Sequence, residues 1–190
     1  FSGCSCDTPQ TTDAGFDAPS LEDANDDASP DATFNDPPPP APFTDVPQAG
    51  RFTVPGLTGQ AYVVRTELNV PHIYATNRTD AMRVMGFVMA RDRYFQMDLT
   101  RRLSQGRISE LLGDRALDTD LENRLTGANH MTDLYLASTN EEEAAELDAF
   151  AAGINAYVAE VRARRLPAPR ELQLAGPLLG MQPAMLLTEW

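Results

Sequence analysis

Lysine is missing from this chain: all 15 of its cationic residues are arginine, and none falls in the first 50 positions. We attribute the exclusive use of arginine to genome composition. A stretch without cations cannot track a phosphate backbone, and beyond residue 50 arginine nearly balances the acids. Neither part therefore carries the basic footprint of a nucleic-acid binder. Cysteine is confined to Cys4 and Cys6. Residues so close seldom form a well-shaped disulfide, and two thiols alone make a poor metal site. Histidine is confined to His72 and His130, with no His-x-x-x-His or His-Glu pair and no cysteine beside either, which leaves a metal hydrolase without support. No Asp-x-Asp-x-Asp-Gly loop offers calcium a ligand set. No run approaches the ~20 apolar residues of a membrane span.

What is present divides near Arg51. Residues 1–50 hold Asp7, Asp13, Asp17, Glu22, Asp23, Asp26, Asp27, Asp31, Asp36 and Asp45, and so own most of the net charge of −13. With Pro37 to Pro40 and little apolar area to bury, this stretch is expected to be a disordered, extended tether with polyproline character near its end. A solvated linker explains its scattered acids better than a binding tail does. Phe1-Ser2-Gly3-Cys4 looks like the end of a bacterial lipoprotein signal, in which small residues precede a lipid-bearing cysteine. The charged and apolar regions of such a signal are absent, so the sequence is expected to begin inside one. Two readings of Cys4 stand: lipid attachment, which tethers a periplasmic or outer-membrane lipoprotein of a bacterium to its membrane, or an incidental partner of Cys6.

Residues 51–190 are expected to fold. Phe52 to Val54 and Ala61 to Arg65 read as short strands separated by Pro55 and Gly56, and Pro71 to Ala75 reads as a half-buried hairpin partner. Asn69 suits a turn that needs a positive φ. A helix capped at Thr79 or Asp80 is predicted to run to Ser104, broken near Arg91, with Met82, Met85, Val88, Phe95 and Leu99 at three- and four-residue spacings. A short helix covers Ile108 to Leu112. Another starts near Thr139, because Ser138, Thr139 and Asn140 each have a glutamate three residues on. Its stripe is Leu147, Phe150, Ile154, Tyr157 and Val161; Arg162, Arg164 and Arg165 suit its C-terminal dipole, and Pro167 stops it. Two or three strands make no independent sheet, so much of the burial is expected from chain beyond this sequence.

The motifs and their order carry a resemblance. Val63-Val64-Arg65, VPHIYA from Val70, GFVMARDR from Gly86, FQMD from Phe95, Arg101-Arg102 and GRISELLG from Gly106, with a weaker continuation from Phe150 to Trp190, resemble the N-terminal part of the penicillin acylase family. These are amidases of the N-terminal nucleophile hydrolase superfamily. The likeness spans about Ala61 to Trp190. The family's turn after the first strand, Arg-Asp-x-x-Gly, is here Arg65 to Asn69, with asparagine in the glycine position. The resemblance implies an α+β fragment of an αββα sandwich, mostly helical here with a short β-hairpin.

It also implies a mechanism whose parts lie elsewhere. A precursor cuts itself, and the exposed N-terminal serine of a larger (beta) chain attacks the amide with its own α-amino group as base. That serine and its oxyanion donors match nothing in this chain, so no catalytic residue is assigned. No organic cofactor is implied. Calcium is implied in some members, with ligands beyond Trp190. The larger chain is then the expected partner and a small N-acyl amide the substrate, as in antibiotic metabolism. The same resemblance makes His72 a buried structural residue; His130, after Gly127, reads as a surface or helix-start residue. Arg91, Asp92 and Arg93, and Arg101 and Arg102, read as an ion-paired network linking the helix to the catalytic sheet rather than as a carboxylate site. The methionines at 82, 85, 89 and 97 read as core filling. Two functions stay open: the N-terminal piece of a self-processing amidase, or a non-catalytic truncated surface lipoprotein with at most a binding role.

Overall fold

A computed structural model describes residues 50–178 and 186–190. The expected tether and Cys4 lie outside these residues. Two compact units are distinguished, residues 1–53 and 54–190. In the first, the described residues 50–53 have no regular structure. The second contains β1 (Tyr62–Arg65), β2 (Pro71–Tyr74) and helices α1 (Arg78–Ser104), α2 (Ser109–Leu112), α3 (Leu117–Leu125), α4 (Ala128–Ser138), α5 (Glu141–Arg162) and α6 (Arg170–Leu178). A single 3-10 turn, Gly113–Ala116, joins α2 to α3.

The hairpin forms as its residues dictate. β1 and β2 are antiparallel, with Tyr62 opposite Tyr74, Val63 opposite Ile73, Val64 opposite His72 and Arg65 opposite Pro71. Proline begins β2, where its missing N–H costs least. Asn69 takes φ 58°, its amide donates to the Thr66 carbonyl at 2.8 Å, and Arg65 donates to its side-chain oxygen at 3.2 Å. The expected strand at Phe52 to Val54 does not form: these residues have no regular structure, and Val54 instead enters the core.

The cap of α1 lies two residues before Thr79 and three before Asp80, the two predicted positions. Asn77 caps it, accepting from the Asp80 amide at 2.7 Å. Asp80 turns inward and accepts from the Thr58 amide and hydroxyl, the Gly59 amide and Asn77. The predicted break falls at Arg93, whose φ of −151° and ψ of 33° are non-helical. α1 ends in a Schellman turn: Gly106 (φ 63°) donates to Leu103 and Arg107 donates to Arg102. A Cβ on Gly106 would also stand 2.6 Å from both the Asp120 carbonyl and the Arg124 side chain.

α5 is capped by Asn140, which accepts from the Glu143 amide at 2.9 Å. It ends at Arg162, before Pro167 can act, in a second Schellman turn in which Arg164 occupies the left-handed position at φ 59°. The Arg164 amide donates to Val161 and the Arg165 amide to Glu160.

α1 and α5 form the body of the unit. Phe87, Ala90 and Tyr94 meet Ile154, Tyr157, Val158 and Val161, joined by Ile108, Leu111, Leu172, Leu186 and Leu187. Phe87 and Tyr94 set their rings 6.2 and 6.1 Å from that of Tyr157. Two glycines bring the helices into backbone contact: a Cβ on Gly86 would stand 2.1 Å from the Phe150 carbonyl, and one on Gly153 1.9 Å from the Arg83 carbonyl. Leu147, expected in the buried stripe, lies at its exposed rim. α3, α4 and α6 were not predicted.

Candidate functional site

The kink at Arg93 redirects α1 so that Tyr94, Asp98 and Arg102, four residues apart, share one buried face. That face grips the segment Leu186 to Trp190. The Tyr94 hydroxyl donates to the Thr188 carbonyl and accepts from the Thr188 amide, both at 2.8 Å. Asp98 accepts from Arg101 at 2.6 Å, from Arg102 Nε at 2.7 Å and from the Thr188 hydroxyl at 3.0 Å. Arg102 carries the chain of charges on to Glu110 in α2. From α5, Asn155 Nδ2 donates to the Trp190 carbonyl at 3.0 Å and its Oδ1 accepts the Trp190 amide at 2.8 Å. Arg162 donates to the Leu187 carbonyl at 2.9 Å and pairs with Glu189 at 2.8 Å. The Arg101 guanidinium lies 4.9 Å from the centre of the Trp190 ring.

Every charge buried in this clamp has an opposite charge and further hydrogen bonds, which is the condition for burying it at all. Burial, and then the nearby Asp98 charge, push the Tyr94 hydroxyl up. Tyr157, packed beside it, is pushed up to about 12, chiefly by burial. Both phenols therefore stay protonated as donors. Arg101 and Arg102 are ion-paired, but with Asp98 of their own helix and, for Arg102, with Glu110 of α2, and not with a sheet as expected. Asp92 pairs with Arg65 at 2.7 Å and so ties α1 to the hairpin. Partial desolvation, then Arg65, pulls the Arg91 guanidinium down. Within the charged triplet, Arg91, Asp92 and Arg93 are all solvent-exposed.

Two open recesses flank the kink at Arg93, and one of them borders the clamp. One, about 560 Å³, is lined by Arg93, Gln96, Met97, Thr100, Arg101 and Trp190. Trp190 Nε1 and Arg101 Nε are buried with no partner among the described residues. The other, about 430 Å³, lies between the hairpin turn and the kink, with Leu68, Asn69, Pro71, Asp92 and Arg93 around it. Neither holds a nucleophile beside a base. The hydroxyls of Thr100 and Ser104 donate to the carbonyls of Gln96 and Thr100, one turn back, each at 2.9 Å.

The remaining residues singled out by the sequence are dispersed. His72 is exposed on β2, not buried: a two-stranded hairpin has too few neighbours to cover both of its faces. His130 stands exposed in the first turn of α4. Met82, Met85, Met89 and Met97 are partly buried, and Met97 packs against the core. Among the described residues no group of three His, Cys, Asp or Glu could hold a metal ion. Sequence reasoning missed the buried carboxylates of Asp80, Asp98 and Asp120. A signal existed for two of them: Asp80 three residues after a capping asparagine, and Asp98 four residues before Arg102 on one helix face.

The penicillin amidase family model matches residues 60–190. Penicillin acylase 2 proenzyme of Pseudomonas sp. strain SE83 is 38% identical over 130 residues, 68% of this chain and 16% of that protein. Acyl-homoserine lactone acylase QuiP of Pseudomonas syringae pv. syringae is 37% identical over 124 residues, 65% of this chain and 15% of that protein. Penicillin G acylase of Escherichia coli is 33% identical over 99 residues, 52% of this chain and 12% of that protein. This chain thus spans less than a fifth of the length of each of these curated relatives. Among solved structures, a thermostable penicillin G acylase from Alcaligenes faecalis superposes with a TM-score of 0.55 at 29% identity, covering 61% of this chain and 62% of that one. The matched span holds α1, α5 and the clamped segment alike, and this chain belongs to the penicillin amidase family.

Proposed function

We propose that this chain is the N-terminal scaffold portion of a self-processing amidase that hydrolyses N-acyl amides of the penicillin, cephalosporin or acyl-homoserine lactone type. The observation that carries the reading is the family match over residues 60–190 in a chain that makes up about a sixth of its relatives' length. The word proenzyme in one relative's name supports self-processing. In this reading the polypeptide after Trp190 supplies a larger chain with an N-terminal serine. That serine attacks the acyl carbonyl, its α-amino group takes the proton, and aligned donors stabilise the tetrahedral oxyanion. The amine leaves, and water releases the acid from the acyl-enzyme.

The role of residues 54–190 is then to present a rigid two-helix body and the clamped Leu186 to Trp190 segment, from which the chain enters the catalytic part. Calcium finds no ligand set among the described residues, and no step is assigned to it. Cys4 is proposed as the lipid attachment point, which would tether the enzyme at the periplasmic face of a bacterial membrane.

The test is the gene beyond the codon for Trp190, together with the mass of its mature product. Two chains from one precursor that turn over a chromogenic phenylacetyl anilide support the amidase. A stop codon directly after Trp190 overturns it in favour of a non-catalytic surface lipoprotein. The 190-residue polypeptide alone is expected to hydrolyse no acyl amide, and turnover by it would refute the assignment of catalysis to the later chain.

A further inference from the structure

Arg51 stands apart from every other cation of the chain. With no lysine present, the remaining arginines all lie in β1, in a helix, in the 3-10 turn, or in the Schellman turns that close α1 and α5. A protease binds its substrate as an extended strand, so cleavage at any of them first requires that element to open. Residues 50–53 have no regular structure and are all exposed. Val54 is the first of the described residues to be buried, and the boundary between the two compact units falls just before it. Engaging the bond after Arg51 therefore disturbs the seat of one valine and no helix. The flanking residues suit the same bond. Gly50 brings no side chain against a cleft, and Phe52 keeps the bond free of proline. No acid stands within five positions of Arg51 to repel the carboxylate at the base of an arginine-reading pocket. Upstream, the first 50 residues offer such a protease nowhere to cut.

We propose that the Arg51–Phe52 bond is a processing site, at which an arginine-specific endopeptidase separates the folded unit from the stretch that bears Cys4. Water adds across the peptide bond, leaving a carboxylate on Arg51 and an amine on Phe52. The protease holds the Arg51 guanidinium by a charge-assisted pair with the acid of its own pocket. Because the cations are distributed as they are, the cut is single and its products are defined. Residues 1–51 leave with ten acids and one arginine, nine of the thirteen net negative charges, and the folded unit begins at Phe52. This rests on the reading above only in taking Cys4 as the lipid attachment point: the cut then converts a tethered protein into a diffusible one.

The test follows the full-length protein by intact mass during sparing trypsin digestion under native conditions. Arg51–Phe52 is expected to be cut at least ~tenfold faster than any other arginine bond, since the others wait on local opening. A first cut at another arginine would overturn the proposal. Arg51→Gln should remove the early cut and leave the midpoint of urea unfolding where it was; an early cut that persists in this variant would count against the site. A second measurement fractionates bacteria that produce the full-length protein. The wild type is expected in the soluble fraction with Phe52 at its N-terminus, and Arg51→Gln is expected to stay with the membrane. A soluble form with a different N-terminus, a wild type that keeps its Arg51–Phe52 bond, or equal release of the variant would each overturn the proposal. The Phe52 N-terminus is read by mass whether or not Cys4 carries lipid, and neither readout involves amide hydrolysis. An inactive protein cut at Arg51 would sink the amidase and leave the site, whereas an active amidase whose Arg51–Phe52 bond stays whole in the cell would do the reverse.

Discussion

At the scale of single residues, two glycines and two tyrosines carry the α1–α5 contact. Gly86 and Gly153 are required by approach distance and not by backbone conformation, since any Cβ there meets a backbone carbonyl of the opposite helix at about 2 Å. Backbone cannot rotate out of the way as a side chain can, so the helices must separate. Gly86→Ala is expected to cost at least ~2–3 kcal/mol, the upper part of the overpacking range, read as a lower midpoint in urea unfolding. Tyr157 gives a pH-dependent counterpart. Burial holds its pKa at about 12 in the folded chain, against ~10 when unfolded. Its contribution is therefore whole below pH ~10 and is lost as pH rises towards 12. Tyr157→Phe removes that titration. Its unfolding free energy should fall less steeply than the wild type's between pH 10 and 12, by on the order of 1–2 kcal/mol over the interval; parallel curves would show that the phenol is not protected.

Helix ends show what an element needs from its neighbours. Asn77 and Asn140 cap α1 and α5 with their own side chains, and Gly106 closes α1. α2 has no capping side chain of its own. Its first amides are satisfied by Asp120 from α3, so one carboxylate both starts α2 and anchors α3. Although burial opposes it, hydrogen bonds from Ser109 and Ile108, and the Arg124 charge, hold the Asp120 carboxyl below the usual range. A depressed carboxylate stabilises the fold above the unfolded pKa of ~3.9 and ceases to do so as pH falls through the folded value. Asp120→Asn should accordingly melt lower than the wild type at pH 7, and the two melting temperatures should converge as the solution is taken below pH 4. A gap that stayed constant down to pH 2 would contradict the ionised cap.

For the molecule as a whole, the clamp on Leu186 to Trp190 decides how a two-helix body and a distant segment become one unit. Asp98 is its centre, neutralising Arg101 and Arg102 and accepting from Thr188, 90 positions away in sequence. Truncating one partner of a buried pair leaves the other charge exposed to the low-dielectric interior. Asp98→Ala is expected to cost ~3–5 kcal/mol and to raise the proteolytic susceptibility of the segment at Thr188. An unchanged cleavage rate would show that the apolar contacts of Leu186 and Leu187 hold the segment unaided. The same scale explains what the unit leaves uncovered: the outward leucines of α3, all of α4, and His72 and Tyr74 on the hairpin are exposed.

Much of this was legible in the order of residues because it is local physics. The hairpin turn at Asn69, both long helices, the break in α1 and the Asn140 cap each depend on side chains within four residues of one another, where periodicity and capping speak directly. The strand predicted at Phe52 to Val54 failed because a β-branched run becomes a strand only when another strand is there to pair with it. α3 and α4 went unread because their leucines are turned away from the body, so no stripe matched a core. His72, Asp98 and Asp120 were decided by residues far along the chain: whether a histidine is covered, or a carboxylate is buried with its cations, is a property of what folds against it. Family membership and the long helices followed from the sequence alone, whereas the clamp and the exposure of α3 and α4 required the tertiary structure, since burial is set by neighbours that no local pattern specifies.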